Sequence, residues 1–169
     1  MKVVDGGTAR LMSREDAASL AAATREQSRT VVFTNGVFDL LHLGHVRYLE
    51  VARSLGDVLI VGLNGDASVR RNKGPERPIT PQTERAEVLL ALTAVDAVVI
   101  FDEDTPAEII GAIQPDVLVK GADWAADAIV GRDVVEARNG RVVRVPVEQG
   151  HSTSSIVDRV RQASTPRKG

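Results

Sequence analysis

Between Thr30 and Val160 the chain alternates short, β-branched apolar runs with stretches whose apolar residues recur at helical spacing. Glycine or proline breaks separate most of these segments. Strands that alternate with helices in this way form βαβ units, which pair their strands in parallel. The sequence therefore predicts an α/β fold in which a doubly wound parallel sheet of five strands carries helices on its faces.

The boundaries of these segments follow from where the apolar pattern starts and stops. We expect strands at about 30–34, 57–63, 96–101, 116–120 and 141–145, and helices at about 44–55, 82–93, 105–113, 131–138 and 153–162. An earlier helix begins after the N-cap residue Ser13, runs through Ala23 and packs outside the core sheet. We accordingly divide the chain into three segments. Residues 1–29 contain a leader, loose up to about residue 12, and this helix. Residues 30–163 form the folded domain, and residues 164–169 form a flexible tail.

Composition narrows the class of protein. A chain of 169 residues is long enough for one ordinary domain, and its net charge of −2 gives no reason to expect nucleic-acid binding. The absence of cysteine excludes disulfides and thiol catalysis. No apolar stretch has the length of a signal peptide core or a membrane span. We therefore expect a cytoplasmic enzyme with no membrane or nucleic-acid partner.

The first predicted strand leads into the segment with the most distinctive chemistry. Asn35-Gly36 breaks the strand, and His42 and His45 then lie three residues apart at the start of the next helix. Side chains at that separation share a face, and the unpaired amides and positive dipole of a helix N-terminus attract phosphate. Gly44 lets a ligand approach the backbone closely. This arrangement favours a nucleotide-handling site.

Two other interpretations of the segment fit it less well. Asn-Gly is a common hairpin turn, but the apolar residues that follow it recur at helical spacing and do not alternate. The histidines could bind zinc, but the chain has no cysteine, its only other histidine is His151, and it lacks a His-Glu-x-x-His helix. We therefore predict that no metal is held by protein ligands alone.

In a doubly wound sheet, ligands bind beyond the carboxyl ends of the strands, where the strand order reverses. Candidate site residues follow every predicted strand. They are Thr34, Asn35, Gly36, Phe38, Asp39 and His42 to His45 after the first strand; Asn64, Asp66, Arg70, Arg71, Lys73 and Arg77 after the second; Asp104 and Thr105 after the third; Lys120, Gly121, Asp123 and Trp124 after the fourth; and Ser152 to Ser155 after the fifth.

Several of these residues have simple structural explanations. Arg70, Arg71 and Lys73 could form a solvated face, although their place in a strand-end loop with glycine and proline favours phosphate contact for Lys73. Residues 152–155 are explained as a helix N-cap cluster, which is compatible with a second phosphate site. Lys120 could belong to a structural turn and Trp124 to the core, so both interpretations remain open there.

The pattern Gly36-Val-Phe-Asp-Leu-Leu-His42-Leu-Gly-His45 resembles the signature of the HIGH superfamily of nucleotidyltransferases, which have a Rossmann-like fold. That superfamily includes the glycerol-3-phosphate cytidylyltransferase, phosphopantetheine adenylyltransferase and heptose-phosphate adenylyltransferase families. Further motifs are similar to the D-glycero-β-D-manno-heptose 1-phosphate adenylyltransferase family: Asn64-x-Asp66-Ala-Ser, Lys73-Gly, Arg77-Pro, Glu84-Arg85, Glu103-Asp104-Thr105-Pro, Lys120-Gly121-x-Asp123 and Ser152-Thr153-Ser154.

This resemblance implies transfer of AMP from ATP, with Mg²⁺, to the heptose phosphate, giving ADP-heptose and pyrophosphate for bacterial surface glycans such as the lipopolysaccharide core. The sugar phosphate is already an anion, so the reaction needs no general base; it needs cations and donors that hold the triphosphate in line. The resemblance also implies a homodimer. The kinase domain often fused upstream in that family is absent from this sequence, so we expect a separate heptose kinase to supply the substrate.

The resemblance also assigns roles to residues. The catalytic residues are His42, His45 and Lys73. The nucleotide-binding residues are Thr34, Asn35, Gly36, Phe38, His42, Gly44, His45, Lys120, Gly121, Asp123, Ser152, Thr153 and Ser154. The substrate-binding residues are Asp39, Asn64, Asp66, Lys73, Arg77, Arg85, Asp104 and Thr105.

Two residues depart from the family pattern. Val37 stands where relatives often have Cys or Thr, and Ser155 stands where cytidylyltransferases commonly have Lys, which argues weakly against CTP as the nucleotide. Two alternatives stay open. One is a cytidylyltransferase acting on glycerol 3-phosphate or a similar small phosphate, and the other is a nucleotide-binding module without catalysis.

Overall fold

The apolar runs form a parallel sheet in the computed structural model, which describes residues 9–125, 128–146 and 152–164. The strands are β1 Arg10–Met12, β2 Val31–Gly36, β3 Val58–Asn64, β4 Ala97–Phe101, β5 Val117–Gly121 and β6 Arg141–Val145. The helices are α1 Arg14–Glu26, α2 Leu43–Arg53, α3 Asp66–Lys73, α4 Gln82–Leu90, α5 Ala107–Ile113, α6 Arg132–Glu136 and α7 Thr153–Ser164. No helix within these described ranges is long and apolar enough to cross a membrane.

The strands are ordered β1-β4-β3-β2-β5-β6, and every neighbouring pair is parallel. The chain moves outward from β2 through β3 to β4, and β5 then returns to the other side of β2. The order therefore reverses between β2 and β5, and a ligand site is expected at their carboxyl ends. The prediction of a doubly wound parallel sheet is confirmed.

Helices cover both faces of the sheet, which explains why its central strands are apolar without alternation. On one face α1 and α5 pack against strand residues such as Phe33 and Ile60. On the other face α2 and α4 contribute Leu49 and Leu89 to a second core cluster. Both clusters consist of fully or nearly fully buried residues, so the sheet is a rigid platform for the loops at its carboxyl edge.

The prediction of five strands was wrong, because the described residues form a sheet of six strands. The additional strand, β1, lies within the residues expected to be a loose leader and pairs in parallel with β4 at the edge of the sheet. Helix α1 follows at once and buries Ala17 and Ala21 in the core, so this region is part of the folded unit. Residues 165–169, most of the predicted tail, lie outside the described residues, as does His151.

Candidate active site

A cleft of about 420 Å³ opens at the carboxyl ends of β2 and β5, where the strand order reverses. That volume suits a small-molecule ligand. The residues that line the cleft are Asn35, Gly36, Val37, Phe38, Asp39, His42, Gly44, His45, Tyr48, Lys73, Arg77, Gly121, Asp123, Trp124, Ser152 and Thr153.

One wall of the cleft is the histidine turn, residues 36–45, which connects β2 to α2. His42 is the N-cap residue of α2 in an extended conformation, and its side chain makes no capping bond. The imidazoles of His42 and His45 stack with their centroids 3.8 Å apart and their planes at 21°. Phe38, whose φ of 46° lies in the left-handed region, also packs against His45, with the two ring centroids 5.1 Å apart and the planes tilted by 59°. The predicted pair of histidines at a helix start is therefore present.

The environment of His45 keeps its ring neutral at ordinary pH. Burial, followed by the nearby charge of His42, lowers the pKa of His45 to about 4. In the described part of the chain, Nδ1 of His45 is buried and has no hydrogen-bond partner. A neutral imidazole beside an anion-binding helix start is a group that an incoming phosphate can engage or protonate.

Lys73 and Arg77 supply positive charge to the cleft. Lys73 is the exposed last residue of α3, which ends at Gly74 with φ of 98°. Arg77 is partly exposed and donates its Nε–H to Asp39 at 2.6 Å. Of the three basic residues in α3, Lys73 alone lines the cleft, whereas Arg71 pairs with Asp104 at 2.8 Å. The two cations face the same space as the histidines.

Asp39 lines the cleft, but protein donors occupy its carboxylate. It accepts hydrogen bonds from the amides of Ile79 and Thr80 at 2.9 Å, in addition to that from Arg77. Burial by itself would raise the pKa of Asp39, but the donors of Thr80, Ile79 and Arg77 outweigh it and lower the pKa. Asp39 is thus a buried, ionised anchor for the loop at residues 77–80.

Residues at the end of β5 and the start of α7 also line the cleft. Lys120 is buried, donates to the side-chain carbonyl of Asn35 and lies 5.9 Å from the ring of Trp124. Burial lowers the pKa of Lys120 to about 8. Ser152 caps α7: its Oγ accepts from the amide of Ser155 at 3.0 Å, as the N-cap interpretation predicted. The end of β5 and the start of α7 therefore contribute to the same cleft as the histidines.

Several predicted site residues do not line the cleft. Thr34 is buried and bonds the carbonyl of Val119 at 3.0 Å and the hydroxyl of Tyr48 at 2.8 Å. Asn64 donates to Ser68 at 3.0 Å. The remaining predicted residues that do not line the cleft are Asp66 and Arg85, which pair with each other; Asp104, which pairs with Arg71; and Thr105, Lys120 and Ser154.

Comparison with known proteins identifies the family to which this cleft belongs. Residues 33–160 match the family model described as cytidylyltransferase-like. The chain belongs to the cytidylyltransferase-like family. The matched range begins in β2, ends within α7 and contains all the residues that line the cleft.

Curated relatives of this family member include two proteins named bifunctional protein HldE. The one from Citrifermentans bemidjiense is 57% identical over 141 residues, which are 82% of this chain and 29% of the relative. The one from Syntrophotalea carbinolica is 52% identical over 147 residues, which are 87% of this chain and 30% of the relative. The chain thus spans about a third of the length of these relatives.

Solved structures agree with the fold. The lipopolysaccharide core biosynthesis protein from Thermoplasma volcanium superposes with a TM-score of 0.61 at 29% identity, covering 72% of this chain and 99% of that one. The pantoate-beta-alanine ligase from Francisella tularensis gives the same TM-score at 14% identity, covering 95% and 80% of the two chains. The second likeness concerns the fold alone.

Three residues that line the cleft were not among the predicted site residues: Val37, Tyr48 and Trp124. Tyr48 lies three residues after His45 in α2, so helical spacing could have placed it on the same face. Burial raises the pKa of its hydroxyl to about 12. Trp124 is 53% exposed, so the suggestion that it belongs to the core was wrong.

Proposed function

We propose that this cytidylyltransferase-like chain transfers AMP from ATP to D-glycero-β-D-manno-heptose 1-phosphate, giving ADP-heptose and pyrophosphate for a bacterial surface glycan. The observation that carries the proposal is the stacked His42–His45 pair, which opens α2 in a cleft that also contains Lys73 and Arg77. The resemblance to heptose-phosphate adenylyltransferases in the separated motifs, and the HldE relatives, support the choice of sugar.

The cleft offers what nucleotidyl transfer requires. A phosphate oxygen of the sugar phosphate attacks the α-phosphorus of ATP, a new phosphorus–oxygen bond forms, and the bond to the β-phosphate oxygen breaks as pyrophosphate leaves. Negative charge shifts to the leaving group, so donors preorganised around the phosphates lower the barrier. In this proposal His42 and His45 donate to these phosphates, together with backbone amides at the start of α2 that helix geometry leaves unpaired.

The two sides of the cleft divide the substrates in this proposal. Asn35, Gly121 and Asp123, with Ser152 and Thr153 at the start of α7, form the nucleotide side. Lys73 and Arg77 form the cationic side that receives the sugar phosphate, because two fixed positive charges favour a dianion over a neutral group.

Mg²⁺ is proposed to accompany ATP. Within the described residues no group of three or more histidine, aspartate or glutamate side chains is arranged to hold a metal ion. The donors that Mg²⁺ prefers would therefore come mainly from the phosphates and water, with Asp123 as the carboxylate on the nucleotide side of the cleft. Bound there, the ion supplies charge neutralisation at the phosphates.

We further propose that the enzyme works in the cytoplasm as a homodimer. The exposed large apolar side chains of the described residues include Ile79 and Val88, which lie just before and within α4, whereas the isoleucines of α5 are buried. A dimer would cover part of this exposed apolar surface. Sedimentation at working concentration should give about twice the mass of the 18.1 kDa chain, and a single species of that chain mass would contradict the dimer.

The proposed reaction is tested with a panel of ATP, CTP, GTP and UTP, each paired with heptose 1-phosphate or glycerol 3-phosphate. Release of pyrophosphate is measured, and the sugar nucleotide is identified by mass spectrometry. We expect turnover with ATP and heptose 1-phosphate. Turnover with CTP alone would instead favour the cytidylyltransferase alternative, and tight ATP binding without pyrophosphate from any pair would favour a nucleotide-binding module.

A further inference from the structure

Arg85 is the largest fully buried side chain of the described residues, and it lies directly behind the histidine turn. Its guanidinium donates to three different segments. Nε–H bonds the carbonyl of Thr80 at 2.9 Å, one terminal nitrogen bonds the carbonyl of Val37 at 2.5 Å, and the other bonds the carboxylate of Asp66 at 2.8 Å. A single planar group thus ties the histidine turn, the 77–80 loop and the first residue of α3 together.

A buried guanidinium needs a structural explanation. Arginine does not lose its proton in proteins, so the charge must be paired and hydrogen-bonded when no part of the side chain reaches solvent. Apolar side chains of similar volume often fill such a space equally well, so packing alone does not require a charge here. A planar guanidinium adds donors at fixed angles, and these donors fix the relative positions of the groups that accept hydrogen bonds from them.

The 77–80 loop is held from two sides by buried charges. Asp39 accepts from the amides of Ile79 and Thr80, and Arg85 donates to the carbonyl of Thr80. The amide of Thr80 is therefore held by Asp39, which belongs to the histidine turn. The carbonyl of Thr80 is held by Arg85, which also bonds the carbonyl of Val37 in that turn. This loop cannot shift relative to the histidine turn without breaking several buried bonds.

The same contacts control the two cations of the cleft. Arg77 begins the 77–80 loop and is held on Asp39. Lys73 is the last residue of α3, and the first residue of that helix, Asp66, is paired with Arg85. The relative placement of the histidines, Lys73 and Arg77 therefore depends on bonds made by Arg85, which itself does not line the cleft.

We infer that the buried Arg85 and its partner Asp66 form a brace that positions the cationic side of the cleft against the histidine turn, and that this brace sets the affinity for the phosphate of the sugar substrate. They are positioning residues that do not touch the substrate, in contrast to the substrate-binding role that the sequence resemblance implies. The inference rests on the proposed function for the identity of that substrate.

The test compares Arg85→Lys and Asp66→Asn with the wild-type chain. The first substitution keeps the positive charge but removes the planar fork, and the second keeps the shape of the side chain but removes its negative charge. Arg132→Lys is the matched control, because Arg132 pairs with Glu136 on the exposed surface of α6 and lies outside the cleft. Steady-state kinetics give KM separately for ATP and for heptose 1-phosphate.

We expect both brace variants to raise KM for heptose 1-phosphate by about tenfold or more, because misplacement of positioning groups by as little as about 1 Å has large effects. KM for ATP should change by less than about threefold, since Arg85 bonds none of the residues on the nucleotide side of the cleft, and R132K should match the wild type. If R85K or D66N lowers the unfolding temperature but leaves the KM for heptose 1-phosphate unchanged, the brace is only structural and the inference is wrong.

Two further outcomes are separated by design. If R85K does not fold, D66N alone decides, because Asp66 is partly exposed and the asparagine preserves its shape. If the wild-type chain shows no turnover with any sugar phosphate, the proposed function fails. The brace is then judged by hydrogen exchange, where D66N should speed exchange in peptides covering residues 36–42 and 77–80 but not in α1. Unchanged exchange in the peptides covering residues 36–42 and 77–80 would overturn the inference that Arg85 and Asp66 form a brace.

Discussion

The environment of His45 indicates how the protonation of a side chain in this cleft would depend on a bound anion. Its ring is stacked on His42 and packed against Phe38, so a positive charge there is unfavourable in the absence of an anion. A triphosphate would reverse that balance because an opposite charge within a few ångströms favours the protonated imidazole. Under the proposed function, His45 would therefore stay neutral until a triphosphate binds.

The titration of His45 tests this account. Without ligand, the resonance of its ring proton in NMR should titrate near pH 4, and ATP should raise that midpoint. Unfolded histidine titrates near 6.5, so the unfolded state binds more protons between these values, and the free energy of unfolding should fall as the pH is lowered from about 6.5 to about 4. The resonance is assigned with the His45→Gln variant, and circular dichroism confirms that the chain is folded. A midpoint near 6.5 in the free protein would contradict the account.

Kinetics of the histidine variants test their role in transfer. His42→Ala and His45→Ala should each lower kcat by about 10² to 10³, because each removes a donor that acts mainly on charge developing in the transition state. ATP affinity, measured by calorimetry, should change much less. Lys73→Ala should in addition raise KM for the sugar phosphate, since Lys73 is proposed to bind a ground-state anion. Near-normal kcat in both histidine variants would mean that the histidines are structural.

At the scale of residues, sequence shows which side chains are present near the site but not what each side chain contacts. The expectation that site residues collect at the carboxyl ends of the strands groups His42, His45, Lys73 and Arg77, and all four line one cleft. The same expectation grouped Asp66 with them and the family resemblance added Arg85, although these two charges pair with each other and do not line the cleft. Pairing of this kind joins residues 19 positions apart, and no local pattern encodes it.

At the scale of elements, strong periodic patterns were predicted well and weak ones were missed. Five strands and five helices after Thr30 lie close to where their patterns place them. Helix α3 was missed because it buries just Ser68 and Val69 and shows little apolar periodicity. β1 has three residues, and its alternation is too short to recognise; its partner β4 is what stabilises it.

The N-terminal helix supplies a stability prediction at this scale. The hydroxyl oxygen of Ser13 accepts a hydrogen bond from the backbone amide of Asp16 at 3.0 Å and so caps α1. Ser19 lies on the exposed surface of the same helix. Ser13→Ala should lower the free energy of unfolding by about 1 kcal/mol, because a helix-end donor loses its partner. The control Ser19→Ala should change it by less than about 0.5 kcal/mol. Urea unfolding measures both, and equal stabilities for the two variants would argue against the cap.

At the scale of the whole molecule, the alternation of strands and helices predicts parallel pairing but leaves the strand order open. The observed order places the carboxyl ends of β2 and β5 side by side. Gly36, Gly121 and Ser152, which are distant in the sequence, therefore line the same cleft. The motif segments are dispersed in the sequence and meet because each follows a strand of one parallel sheet. A single cleft therefore contains the histidines, the cations and the nucleotide side.

The central claim is that an oxygen of the sugar phosphate attacks the α-phosphorus of ATP in this cleft. The most direct measurement uses heptose 1-phosphate whose three terminal phosphate oxygens are ¹⁸O, together with unlabelled ATP, and determines the mass of both products. We predict that all three labelled oxygens are retained in ADP-heptose and that pyrophosphate is unlabelled. Labelled oxygen in the released phosphate species, or a sugar nucleotide without the label, would contradict the claim.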